Sequence, residues 1–363
     1  MRALRLLALW SVLFAVFAAG VGIDARSGDE LLHLRIEQAL IHEARVVDTP
    51  AGVGFALLIS PARELGGPRA VELFLAALAA LGFVFSALLA RRIVPEPYAS
   101  AGAALAGLSA PAVAHGAAIY PEAVAGTLLA GAAVCALPAY EAPRVAPVVG
   151  GGALLAVLPW LGPLYVIPAV PIAVALYRWC RRGRRPLLGL VGVEIGAASL
   201  VTYATLNERL YGGPTPWSAS RPGVTATGAD TLADYVERVP RLLTLWVDPD
   251  VGLLRWAPIF ALAFVGAWLL WRSRRAGLAR ALAERATAEA AATLALAIVT
   301  AQLLVAAFLV PAIDGDWFAA RYLAPALPAA GALIAWSCRH APRVAAALGA
   351  VSVLATVWVL ADA

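Results

Sequence analysis

The sequence predicts an all-α, polytopic integral membrane bundle with about 11 transmembrane helices, each near bilayer-spanning length. Three observations carry that expectation. Of the 363 residues, 62% are hydrophobic and 14% charged, with a mean hydropathy of +0.81; a soluble domain averages roughly 45–50% apolar and 25% charged. The apolar residues gather into runs close to the roughly 20 residues that crossing a bilayer needs. All 28 basic residues are arginine, and they sit in short clusters between those runs. That pattern is one of membrane topology, so the net charge of +5 does not point to nucleic acid as a partner. Nowhere does a stretch of about 100 residues, the usual domain size, have soluble composition, so 1–363 is expected to form a single transmembrane domain.

Taken in order, the spans are expected at about 6–23, 71–90, 98–116, 122–140, 145–160, 163–179, 186–206, 253–271, 290–310, 323–338 and 343–361. The first follows Arg2 and Arg5 and resembles a signal peptide. Its run from Leu6 to Ile23 nearly crosses a bilayer, so an uncleaved span is expected rather than cleavage at Ala18–Gly20. The pair at 145–179 is crowded by Pro159, Pro163, Pro168 and Pro171, where helices kink or break. One broken or re-entrant element there would lower the count to ten or nine. Cys135, Cys180 and Cys338 lie within or beside apolar segments, and an odd number so placed gives neither a disulfide framework nor a zinc cluster.

Arginine density sets the orientation. Arg91-Arg92, Arg181-Arg182 with Arg184-Arg185, and Arg272 with Arg274-Arg275 fall in the short connections on one side, which the positive-inside bias assigns to the cytoplasm of a plasma-membrane protein. The acids concentrate on the other side, in the loops 24–70, 207–252 and 311–322, which form the expected working face. In the first of these, Leu32, Ile36, Ala39 and Leu40 make one stripe with His33, Arg35 and Glu37 off it, which predicts a helix lying on the membrane surface. Val53–Ile59 is apolar but too short to span. The second loop holds turn-forming glycines and prolines, then a helical stretch over about 231–245.

Four groups on the working face could carry chemistry. Ser27-Gly28-Asp29-Glu30 offers adjacent carboxylates where span one ends, suited to a general base that accepts a hydroxyl proton while a lipid-linked group leaves. The same residues form a capping box, with Asp29 in the first helical turn. His115, Tyr120 and Glu122 open span four; Pro121 and Glu122 suit an ordinary helix start, and the imidazole and carboxylate also suit a polar site at the membrane boundary. His33, Glu37, His115 and Glu122 together offer divalent-cation ligands, although their spacing fits no closed metal motif. Asp314-Gly315-Asp316-Trp317 precedes Arg321-Tyr322, and arginine's planar fork is the natural phosphate partner in a chain without lysine; helix capping by Asp316 and snorkelling by Arg321 account for the same residues. Finally, Asp248 and Asp250 lie between Trp246 and Trp256 before span eight, where tryptophan anchors to the interface.

At these residues the chain resembles the bacterial GT-C glycosyltransferases, the polytopic enzymes related to protein O-mannosyltransferases and lipid A aminoarabinose transferases. Members carry an Asp-Glu pair at the start of the first outer loop, often followed by Pro and then an aromatic or His position. Here Asp29-Glu30 match, Leu31 stands for the Pro and His33 takes the later position. Gly54–Pro61 with Leu65-Gly66-Gly67, then Tyr120-Pro121-Glu122, Gly252-Leu253-Leu254 through Ala257-Pro258, and Arg321-Tyr322-Leu323 through Pro325 and Pro328 are similar to family landmarks in the same order.

The resemblance implies a transferase that takes a sugar from a polyprenyl-phosphate donor, with inversion, and passes it to a glycan, lipid or protein acceptor outside the plasma membrane, in the cell envelope. It further implies Asp29 as the base, Glu30 and Glu122 shaping the acceptor site, and Arg321 on the donor phosphate. Two other readings stand beside it: a transporter of lipids or polyprenol-glycans, and a catalytically inactive scaffold with the same fold. Transporters place ionisable residues at the midplane of paired spans, whereas Glu194 is the only acid well inside an expected span.

Overall fold

A computed structural model describes residues 2–21, 28–47, 52–216, 227–275, 283–313 and 318–362, and all regular structure in them is helical. The chain opens with α1 (Arg2–Ala19) and α2 (Gly28–His42). Next comes α3 (Gly54–Ala90), 37 residues long and broken at Gly66 and Gly67 between Pro61 and Pro68, where Gly67 takes φ 67°. Residues 53–59, too short to cross alone, thus belong to an arm of α3, and the crossing follows the break. The expected span at 98–116 is instead two short helices, α4 (Tyr98–Gly107) and α5 (Ala110–Ala117), because Ser109 is extended and Pro111 cannot continue the preceding turn.

After an extended Tyr120, Pro121 starts α6 (Pro121–Ala136), continued by α7 (Pro138–Glu141). The proline-crowded region resolves into two helices, α8 (Val145–Leu161) and α9 (Val166–Arg182), joined at Gly162 and a 3-10 turn, Pro163–Tyr165. α10 (Pro186–Tyr211) follows. In place of one helix over 231–245 there are two, α11 (Leu232–Glu237) and α12 (Arg241–Val247), since Pro240 lacks the N–H that a continuous helix would use. The 253–271 segment is likewise broken at Ala257-Pro258 into α13 (Leu253–Trp256) and α14 (Ala261–Arg275). α15 (Ala283–Leu304) ends in a π-helical turn, Val305–Leu309. A 3-10 segment, Arg321–Ala326, leads into α16 (Leu327–His340), and α17 (Pro342–Asp362) completes the bundle.

Among the described residues, six helical stretches are long and apolar enough to cross a membrane, and Ala3–Ala19 and Val145–Leu161 are shorter apolar helices. The chain is a multi-pass membrane protein. Its spine is α3, which packs against α1, α6 and α16, while α8, α9 and α10 form an outer layer attached through α6 and, at α9, through α15. Small residues let these helices approach closely, as membrane helices do where van der Waals packing holds them. A Cβ on Gly102 would lie 2.4 Å from the backbone of Ala335, and one on Gly152 would lie 2.4 Å from the carbonyl oxygen of Gly192.

α2 forms where expected, but the face it turns inward is rotated from the expected stripe and shares only Ile36 and Ala39 with it. Glu30, His33 and Glu37 are buried, along with Ile36 and Ala39, whereas Leu32 and Leu40 are only half-buried and Leu31 is exposed. The reason is the surface α2 rests on. Arg63 of α3 pairs with Glu37 and also donates to the Leu34 carbonyl and to Gln38 Oε1, the last at 2.7 Å. Glu30 Oε1 accepts the Ile119 N–H at 2.7 Å. A polar underside is therefore what the end of the bundle selects.

Candidate active site

Beneath α2, where α6, α15 and the turn between α8 and α9 meet the Arg321–Ala326 segment, lies a cavity of about 230 Å³. Its wall includes His33, Glu122, Tyr165, Gln302, Arg321 and Tyr322. Each is held by identifiable chemistry. Tyr120 is buried before the start of α6, and the Arg321 guanidinium stands 3.9 Å from its ring centroid. Arg321 Nε donates to Glu122 Oε1 at 2.9 Å, and Glu122 Oε2 is buried without a hydrogen-bond partner. His33 meets Phe55 and Tyr120 edge-on, with ring centroids 4.9 and 6.3 Å apart.

The segment carrying Arg321 is fixed through its backbone. The Ala319 carbonyl oxygen lies 2.9 Å from His115 Nε2, the Ala320 N–H donates to the Val251 carbonyl at 3.1 Å, and Gln302 Nε2 donates to the Tyr322 carbonyl at 2.8 Å. Ala320 sits at φ 63°, a left-handed conformation that costs a non-glycine residue about 1 kcal/mol and persists only where neighbours over-determine it. Three such neighbours are present. Asp248 contributes one step back: its Oδ1 accepts the N–H groups of Asp250 and Val251, at 2.8 and 3.2 Å, and so shapes the turn that offers the Val251 carbonyl.

The expected site residues therefore separate by position. His33, Glu122 and Arg321 line the cavity, Tyr120 supports Arg321, and Glu30 and His115 tie the surrounding backbone together. Asp248 serves its turn and is not among the cavity's lining residues. Asp29 lies on the first turn of α2, but its side chain falls outside the described parts, as do Asp314 and Asp316.

Several contributors were absent from the sequence reading. Gln302, buried at the end of α15, is the one amide within an expected span, and that isolation was the available signal. Tyr165 entered only as part of the proline-crowded region. Arg238 and Arg241 lie in the second outer loop, where no motif marks them. Arg238 donates to the Phe308 and Thr227 carbonyls and Arg241 to those of Val310 and Pro311, so the carbonyls at the end of the Val305–Leu309 turn find partners.

His33, Glu37, His115 and Glu122 do not gather as metal ligands, for Glu37 is paired with Arg63, Glu122 with Arg321 and His115 with the 319 carbonyl. Among the described residues, the acid and histidine group with ligand atoms within 4.8 Å of one another is Glu37, His42 and Glu64. Arg63 already neutralises Glu37 there, and His42 Nε2 lies 3.0 Å from Glu64 Oε1, so these residues fit a divalent cation poorly.

No protein-family model matches this sequence, and no curated protein matches it. The fold does match solved structures. ArnT from Cupriavidus metallidurans in the apo state superposes with a TM-score of 0.60 at 17% identity, covering 96% of this chain and 62% of that one. The same protein bound to undecaprenyl phosphate gives 0.56 at 16% identity, covering 94% and 61%. The Archaeoglobus fulgidus oligosaccharyltransferase in complex with zinc and sulfate gives 0.54 at 11% identity, covering 97% and 52%. The chain thus spans about three fifths of ArnT's length and about half of the oligosaccharyltransferase's. These proteins share the GT-C fold, and the chain has that fold.

Proposed function

We propose that this protein is an inverting membrane glycosyltransferase that uses a polyprenyl-phosphate sugar and acts on the outer face of the plasma membrane. One observation carries the reading: an arginine held against a carboxylate and a tyrosine ring in the wall of a cavity at one end of a GT-C bundle. Such a fork suits a phosphate, because it gives two parallel hydrogen bonds as well as charge. ArnT, of the same fold, is known bound to undecaprenyl phosphate.

In this reading the acceptor hydroxyl attacks the anomeric carbon from the side opposite the phosphate. Asp29 takes the hydroxyl proton as the new C–O bond forms. The bond between the anomeric carbon and the phosphate oxygen breaks, and its electron pair leaves with the polyprenyl phosphate. Arg321 stabilises that leaving charge, and Glu122, bonded to Nε, holds the guanidinium in one orientation. Glu30 acts through the backbone at Ile119, which sets the start of α6 and hence Glu122.

The test is Asp29→Asn. The amide keeps local hydrogen bonding but cannot accept the proton, so transfer from a polyprenyl-phosphate sugar should fall by a factor of about 10² to 10⁴. Stability in detergent should stay within about 1 kcal/mol of wild type. Retention of more than about a tenth of wild-type turnover would make Asp29 a helix cap and not the base.

A further inference from the structure

A second cavity, of about 730 Å³, opens at the far end of α9 from Tyr165. Arg178 is 13 residues beyond Tyr165, which along a helix is about 20 Å. Arg178, Arg182 and Arg274 stand at its rim. Below them the walls are apolar, with Val174 and Ala175 of α9 facing Leu294 and Ala297 of α15. Arg274 donates to Thr293 Oγ1 at 2.6 Å, while among the described residues Arg178 and Arg182 have no ion-pair or hydrogen-bond partner. The one acid in the wall, Glu289, accepts a hydrogen bond from Ser273.

We propose that this groove binds one anionic phospholipid, with the phosphate between Arg178, Arg182 and Arg274 and an acyl chain lying between α9 and α15. Two features of the groove select that occupant. Its rim carries three cations against one acid, in the connections that the arginine bias assigns to the cytoplasm. Its floor continues along a helix that belongs to an apolar crossing, where Val170 and Val174 are 52% and 45% exposed. From Arg182 back to Pro171 the helix rises about 16 Å, enough to lie along most of an acyl chain. A small soluble anion would use the rim and leave the apolar floor uncovered.

Native mass spectrometry of the detergent-purified full chain tests this, with phosphatidylglycerol and phosphatidylethanolamine added in equal amounts. The expected result is a phosphatidylglycerol adduct that survives activation which strips phosphatidylethanolamine. Arg178→Ala with Arg182→Ala should weaken it roughly twentyfold, about fivefold for each cation. Val174→Trp, which keeps every arginine and fills the floor, should weaken it as well, and Arg339→Ala at another helix end should leave it unchanged. Equal retention of the two lipids, or an adduct unaffected by both the double variant and Val174→Trp, overturns the proposal. So does displacement by inorganic phosphate at matched concentration, which would reveal a soluble-anion site, or preferential displacement by a polyprenyl phosphate.

Discussion

Replacing Arg321 with lysine separates a phosphate-gripping fork from a cation that merely reaches toward headgroups. Lysine keeps the charge. It loses the Nε–H that donates to Glu122 at 2.9 Å and the flat face stacked 3.9 Å from the Tyr120 ring centroid. A charge-assisted hydrogen bond contributes about 1.5–3 kcal/mol, and stacking on tyrosine about 0.5–2 kcal/mol depending on how far water is excluded. The Arg321 side chain is 17% exposed, so water screens it little. Both contacts stand in the free protein and bear on its stability; what the donor loses is the second of the fork's two hydrogen bonds to phosphate, at about 1.5–3 kcal/mol, or roughly 10- to 150-fold in kcat/KM. The assay is initial-rate transfer from a polyprenyl-phosphate sugar in detergent, normalised to folded protein by thermal unfolding. A Tyr120→Leu single variant and the double variant complete a cycle, and the expected coupling is about 1 kcal/mol. Transfer within threefold of wild type for Arg321→Lys would refute the assignment, and a coupling near zero would remove Tyr120 from it.

Glu30 should behave differently from Asp29. Glu30→Ala leaves the buried Ile119 N–H without its acceptor and should cost about 1–3 kcal/mol, seen as a lower Tm in detergent, whereas Glu30→Gln keeps an oxygen to accept it and should unfold near the wild-type temperature. Gly152→Ala would place a methyl 2.4 Å from the Gly192 carbonyl oxygen and should destabilise the α8–α10 contact by about 1–3 kcal/mol; an unchanged Tm would show that the two helices can separate freely. For orientation, a cysteine at Thr227 should be labelled by an impermeant thiol reagent from outside intact cells and one at Ala279 should not, and the reverse pattern would invert the working face.

What the sequence made legible follows from the bilayer itself. Among the described residues the expected spans are helical, because apolar runs with no water to satisfy their backbone must bond internally, although six stretches, not eleven, are long and apolar enough to cross. Breaks inside the runs were less readable: Leu108-Ser109 and Ala257-Pro258 interrupt segments whose hydropathy is continuous, and only Pro111 and Pro258 marked the places. The inward face of α2 was half legible, with Ile36 and Ala39 buried and Leu32 and Leu40 not, for a physical reason. A stripe of Leu32, Ile36, Ala39 and Leu40 predicts an apolar floor, but the floor contains Arg63 and a backbone N–H, so Glu37 and Glu30 turn toward it. Arg321 and Glu122 each stood out as polar residues at span starts, yet nothing local in either segment indicates that they pair, since 199 positions separate them.

That separation has a consequence for biosynthesis. His115 and the Ala319 carbonyl are 204 residues apart, and Glu122 and Arg321 are 199 apart. At a translation rate of about 5–20 residues per second, His115 and Glu122 emerge roughly 10–40 s before their partners exist. During that interval a carboxylate destined for burial waits at the membrane boundary with no cation, and the insertion machinery or interfacial water must solvate it. The cavity wall can close only after Arg321 arrives, so a nascent chain released early would hold most of the bundle and an unfinished wall.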